Sequence, residues 1–179
     1  MPLPNAKIYT TEDIYALPEG ERAELIDGVI YDMAPPGRIH QKISGGLYNK
    51  IFNYISAHNG SCEVYSAPFA VFLSEERNYV EPDISVICDK DKLSDRGCEG
   101  APDWIIEIVS PSSRRMDYAI KNTLYLSASV KEYWIIDPAK EQTTIYYYEE
   151  DAAPMIISFE QPAKSHIYKD FEIRIADLL

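Results

Sequence analysis

The sequence predicts an α/β fold: a mixed central sheet flanked by helices. Three observations predict it. Apolar runs of strand length recur at 84–88, 103–109 and 131–137. Two long stretches, 38–60 and 114–130, carry apolar residues at helical spacing. The second lies between two of the strands, so 103–137 reads as a right-handed strand–helix–strand crossover, which makes those strands parallel.

In chain order, "YTTEDIYALPEG" is a short helix. Thr10 or Thr11 caps it, Glu12 and Asp13 suit its first turn, and Pro18 follows its end. "RAELIDGVIYDM" is a hairpin turning at Asp27-Gly28. "RIHQKISGGLYNKIFNYISAHNG" is the first long helix; Ile43, Leu47, Ile51 and Ile55 form its apolar stripe, and Asn59-Gly60 ends it. Gly45 and Gly46 inside it cost roughly 1 kcal/mol each in propensity, which points to close packing on a neighbour. "CEVYSAPFAVFL" alternates as one strand, with Pro68 marking an edge or a bulge. "PDISVIC" is the next strand, "DKDKLSDRGCEGAP" a polar loop, and "DWIIEIV" a strand apolar on both faces. "RRMDYAIKNTLYLSASV" is the second long helix, capped by Ser110, Ser112 or Ser113. "KEYWIID" ends at Pro138, "TTIYYYEE" and "PMIISFE" pair as hairpin-like strands, and "IADLL" is a terminal helical turn.

At 179 residues, without repeats or a linker, the chain is expected to form one domain over 1–179. No apolar run approaches the roughly 20 residues of a membrane helix. The N-terminal "MPLPNAKIYTTEDIY" has no signal-peptide core. Cys62, Cys88 and Cys98 are odd in number and far apart, so neither a disulfide framework nor a Cys-x-x-Cys metal site is expected, and a reducing cytoplasm is the simplest compartment. The net charge of −12, from 29 acids and 17 bases, excludes a protein that coats nucleic acid by bulk charge. It leaves room for a nuclease with one local basic rim. His40, His58 and His166 have no metal-ligand spacing, and Walker A, GxGxxG and GxSxG patterns are absent.

The chemistry concentrates in three residues. Asp83 opens the strand after Pro82, and Glu107 interrupts an otherwise apolar strand 24 residues later. On neighbouring strands, in one register, two such acids come within about 5 Å. There they share a proton or a cation, and hard oxygen ligands suit Mg²⁺. Lys121, on the following helix, can reach the same edge and hold a water or developing phosphate charge. Each has a plainer explanation: Asp83 as a strand-start residue, Glu107 as a core acid paired with Arg114 or Arg115, Lys121 as an i,i+4 partner of Asp117.

"AELIDGVIYDMAPPGRIHQKISGGL", "VEPDISVI", "PDWIIEIVSPSSRRMDYAIKNTLYL" and "KEYWIIDP" resemble the Uma-two family of restriction endonucleases, also called domain of unknown function 820, across about residues 10–150. The resemblance implies a restriction-endonuclease-like fold of the PD-(D/E)XK nuclease superfamily. It implies that Glu24 is the first acidic motif, that Asp83 and Glu107 are the acids of the PD and (D/E)XK motifs, and that the Ile108 carbonyl is a further metal ligand. The usual lysine position holds Val109, and the family's lysine is relocated to Lys121. His40 matches a family histidine, whose expected role is a contact to a substrate phosphate, a contact behind a metal ligand, or a helix cap. Ser129 stands where the family usually has Gly, just past a helix end.

The expectation is therefore a Mg²⁺-dependent endonuclease, with Mn²⁺ as an alternative cofactor, cutting DNA as a cytoplasmic homodimer without membrane contact. Glu24, Asp83, Glu107 and Lys121 would be its catalytic residues, and Asp83, Glu107 and Ile108 would hold the metal. The rivals are a catalytically silent binding or scaffold protein that keeps the fold, and a metal-dependent hydrolase of small phosphates.

Overall fold

A computed structural model describes residues 7–74, 76–150 and 152–179. The strands in chain order are β1 (Ala23–Ile26), β2 (Val29–Asp32), β3 (Glu63–Ser66), β4 (Val71–Ser74), β5 (Asn78–Val80), β6 (Ile84–Ile87), β7 (Leu93–Ser94), β8 (Gly97–Glu99), β9 (Trp104–Ile108), β10 (Glu132–Asp137), β11 (Gln142–Tyr147), β12 (Met155–Ser158), β13 (Ala163–Lys164) and β14 (Glu172–Ile173). Helix α1 is Thr11–Tyr15 and α2 is Arg38–Ala57. Helix α3 covers 114–127; its middle, Met116–Lys121, is π-helical and its end, Asn122–Ser127, is α-helical.

The strands form two mixed six-stranded sheets, ordered β12-β11-β10-β9-β6-β3 and β2-β1-β5-β4-β8-β7, and a small β13-β14 pair. In the first sheet β9 and β10 run parallel on either side of α3, and β9–β6 and β6–β3 are antiparallel. Every residue of β9 and β10 is buried, because both faces are covered. On one face the α2 stripe of Ile43, Leu47, Ile51 and Ile55 packs against Trp104, Ile106 and Trp134. On the other, Ile105 and Ile135 meet Leu124 and Tyr125 of α3 and Val71 and Val80 of the second sheet. The mixed α/β class follows from the sequence as expected.

Several local expectations change. There are two large sheets rather than one. The stretch 62–73 is two strands in different sheets, β3 and β4, separated at a cis Ala67–Pro68 bond; one alternation concealed two partners. Strand β5 and the β13–β14 pair are too short for a pattern to show. The polar loop 89–102 contains a 3₁₀ turn at Lys90–Lys92 and the β7–β8 hairpin. The cysteine expectation is overturned: Cys62 and Cys88 form a disulfide with a Cα–Cα distance of 3.8 Å. The pairing of Glu63 with Ile87 across β3 and β6 puts the two flanking cysteines opposite one another. Cys98 is free and buried, and the argument for a reducing compartment loses its cysteine support. The close packing expected of two glycines holds for one. A Cβ on Gly46 would stand 2.9 Å from Leu178 Cδ2, whereas one on Gly45 would meet nothing within 4 Å. No helix among the described residues is long and apolar enough to cross a membrane. The N-terminal leader reading rests partly on residues 1–6, outside the described ones.

Candidate active site

A cleft of about 430 Å³ opens where β1, the α2 N-terminus, the β6 entry, the end of β9 and the start of α3 converge. Antiparallel pairing of Ser85 with Ile105 and of Ile84 with Ile106 continues to Asp83 beside Glu107. The register predicted from the sequence is therefore present. The Ile108 amide donates to Asp83 Oδ2 at 2.7 Å, and the Asp83 amide approaches Glu107 Oε2 at 3.4 Å. His40 Nε2 stands 3.0 Å from the same Asp83 Oδ2. His40 Nδ1 is buried without a hydrogen-bond partner among the described residues.

Lys121 arrives from α3. Its ammonium donates to Glu107 Oε1 at 2.8 Å and lies 2.8 Å from Glu24 Oε1, with all three side chains about 5% exposed. Glu24 is held in turn by the Glu81 amide at 3.1 Å. Glu81 is fixed by Arg22 and by the Tyr79 hydroxyl at 2.6 Å. The plainer explanations for two residues therefore fail. Glu107 pairs with Lys121, not with Arg114 or Arg115; Arg114 makes a bidentate contact with buried Asp137. Lys121 pairs with Glu24 and Glu107 rather than with Asp117.

Two residues escaped sequence reasoning. Tyr125 donates its hydroxyl to Glu107 Oε1 at 2.8 Å. Asp117, buried in the π-helical stretch, accepts from Ser113 Oγ at 2.6 Å and lines the cleft. The available signal was the four-residue spacing of Asp117, Lys121 and Tyr125 along one helix face. An i,i+4 ion pair of Asp117 with Lys121 accounts for that spacing equally well.

Glu24, Glu107 and Asp117 surround the buried Lys121 ammonium, and Asp83 lines the same cleft beside Glu107 and His40. Burial pushes Glu107 well above the ordinary carboxylate range; Lys121 opposes the shift, and Asp83, Asp117 and Glu24 reinforce it. Burial raises Asp117 to about 6. Burial pulls against the Lys121 charge, yet Glu107, Glu24 and Asp117 outweigh it and hold the lysine protonated. His40 is raised as well: burial opposes its charge, and Asp83, then Asp117 and the Ile108 backbone, overcome it. In this cleft the carboxylates outnumber the cationic groups, which favours the protonated form of Glu107 and Asp117.

Among the described residues, no three His, Cys, Asp or Glu side chains form a ready metal-binding group. That excludes the closed cage of a structural zinc site. Mg²⁺ is different, since it is held by one or two carboxylates and keeps several waters. Asp83 and Glu107 fit that pattern. The protein contacts of Asp83 fall on Oδ2, and the strong ones of Glu107 on Oε1. Among the described residues, Asp83 Oδ1 and Glu107 Oε2 are the less engaged oxygens, Oε2 accepting only the Asp83 amide at 3.4 Å.

A family model described as "Putative restriction endonuclease", Uma2, matches residues 11–175. A protein of Synechocystis, slr1290, is 26% identical over 141 residues, covering 78% of this chain and 73% of that one. The crystal structure of an Anabaena variabilis protein described as a "putative nuclease belonging to DUF820" superposes with a TM-score of 0.77 at 21% identity, covering 94% of this chain and 96% of that one. At that identity the superposition speaks for the fold.

Proposed function

The chain belongs to the Uma2 restriction endonuclease family, and from that membership we propose that it is a Mg²⁺-dependent endonuclease hydrolysing DNA phosphodiester bonds. The observation that carries the reading is the juxtaposition of Asp83 and Glu107 across the β6 entry and β9, each with one oxygen less engaged than the other, beside a buried lysine. Asp83, Glu107 and the Ile108 carbonyl would hold the metal, and Mn²⁺ would substitute for it. When bound, the cation supplies Lewis-acid polarisation of the scissile phosphate and of the attacking water.

The chain's own groups do the rest. An ammonium has three N–H donors, and Glu24 and Glu107 occupy two of those of Lys121. The third can hold a water or a phosphate oxygen at the cleft. Glu24 keeps the ammonium in place and so acts through Lys121. His40, at the α2 N-terminus, would hold Asp83 in place through Nε2. A symmetric pair of chains would cut both strands of a duplex.

The cleft wall favours a second reading. Six carboxylates line it against Arg22, His40 and Lys121, and such a wall suits a small phosphate better than a long duplex. Plasmid nicking with Mg²⁺ or Mn²⁺, wild type against Glu107→Ala, tests the first reading, and nucleotide competition tests the second. Metal-dependent nicking lost in Glu107→Ala and insensitive to nucleotides is expected. Nicking that persists in Glu107→Ala contradicts the assignment.

A further inference from the structure

We propose that Tyr125 is a positioning residue that decides which oxygen of Glu107 faces the cation; the proposal rests on the metal site assigned above. Glu107 Oε1 accepts two hydrogen bonds, from Lys121 Nζ at 2.8 Å and from the Tyr125 hydroxyl at 2.8 Å. Oε2 receives only the long approach of the Asp83 amide at 3.4 Å. Two strong donors on one oxygen turn the other toward Asp83 and the cleft.

Lysine alone would fix this poorly. Its ammonium is a rotating point charge shared with Glu24 Oε1 at 2.8 Å. Tyr125 is rigid by comparison. It is fully buried, and its ring stands edge-on to Tyr133 with centroids 5.0 Å apart. The hydroxyl has no hydrogen-bond partner other than Glu107 among the described residues. Burial, and then the charges of Glu107 and Glu24, raise the phenol well above its ordinary range, so it stays a donor. Partners of this kind behind a ligand set its orientation, and their loss typically costs tenfold or more in metal affinity.

Tyr133 provides the control. It is equally buried and gives its hydroxyl to the Asp117 carbonyl at 3.1 Å, without a hydrogen bond to Glu107. Mn²⁺ titration by calorimetry, Mn²⁺ paramagnetic resonance spectra and thermal melts should be compared for the full chain, Tyr125→Phe and Tyr133→Phe. Tyr125→Phe is expected to bind Mn²⁺ about tenfold more weakly, with an altered spectrum. Tyr133→Phe should bind within about twofold of wild type while melting at a temperature similar to Tyr125→Phe. Wild-type affinity and spectrum in Tyr125→Phe overturn the proposal and leave the metal site standing. Failure of Tyr125→Phe to fold while Tyr133→Phe folds also overturns it, because the tyrosine is then a structural support. A wild-type chain that binds no Mn²⁺ overturns both the metal site and this role.

Discussion

At the residue scale, Glu107 turns from a misplaced acid in a core strand into the centre of a charge cluster. Its desolvation is offset by Lys121 and the Tyr125 hydroxyl, and Lys121 is in turn shared with Glu24. The arrangement makes Lys121 structural as well as chemical. Removing one member of a buried charge network leaves the others unpaired, at a typical cost of 3–5 kcal/mol. Lys121→Met should therefore destabilise the protein by about that amount in urea unfolding, because it strands two carboxylates. Adding Glu24→Gln should restore part of the loss, since one stranded charge disappears. Strictly additive effects of the two substitutions would show that Glu24 and Lys121 are not coupled. The sequence exposed Asp83, Glu107 and Lys121 because each breaks a local pattern: an acid after Pro82, an acid in an apolar run, a lysine on a helix that must pack against a sheet. It hid Tyr125, because a buried tyrosine on an amphipathic helix looks like any other core aromatic.

At the element scale, long periodic segments were legible and short ones were not. The stripe on α2 and the full burial of β9 and β10 follow directly from residue spacing. The type of hairpin turn was also legible: Asp27 and Gly28 both take positive φ, 51° and 76°, as a two-residue turn demands. Strands of two or three residues, such as β5 and β7, carry too few side chains for a period. The π-helical stretch Met116–Lys121 could not be read either, since apolar spacing does not separate i→i+5 from i→i+4 hydrogen bonding. The widened turn lies where Asp117 and Lys121 enter the cleft, a common place for such irregularities. The end of α3 was legible in detail. Ser129 takes φ 67°, the left-handed position just past the helix end where glycine is favoured. Ser129→Gly should therefore stabilise the protein by up to about 1 kcal/mol in urea unfolding. A loss of stability would mean that the Ser129 side chain contributes a contact that offsets the strain.

At the scale of the whole molecule, the two six-stranded sheets with helices α2 and α3 build one acidic cleft. Composition revealed the acidity but not its location. The net charge of −12 argues against DNA coating, yet it says nothing about a cluster of acids that needs a cation. The second sheet was invisible for a related reason. Its strands alternate like those of the first, and only three-dimensional pairing assigns them to different sheets. The disulfide depends on the same pairing, because β3 and β6 bring Cys62 and Cys88 together from 26 residues apart. The role proposed for this architecture is to hold a divalent cation between Asp83 and Glu107. Calorimetric titration of the wild-type chain and of Glu107→Gln with Mn²⁺ near neutral pH tests it most directly. Glutamine keeps the size of the side chain and a hydrogen-bond acceptor for Tyr125 while removing the charge. The account predicts saturable binding by the wild type and binding at least about tenfold weaker in a folded Glu107→Gln. Equal affinities in the two proteins, or no binding to the wild type, would contradict it.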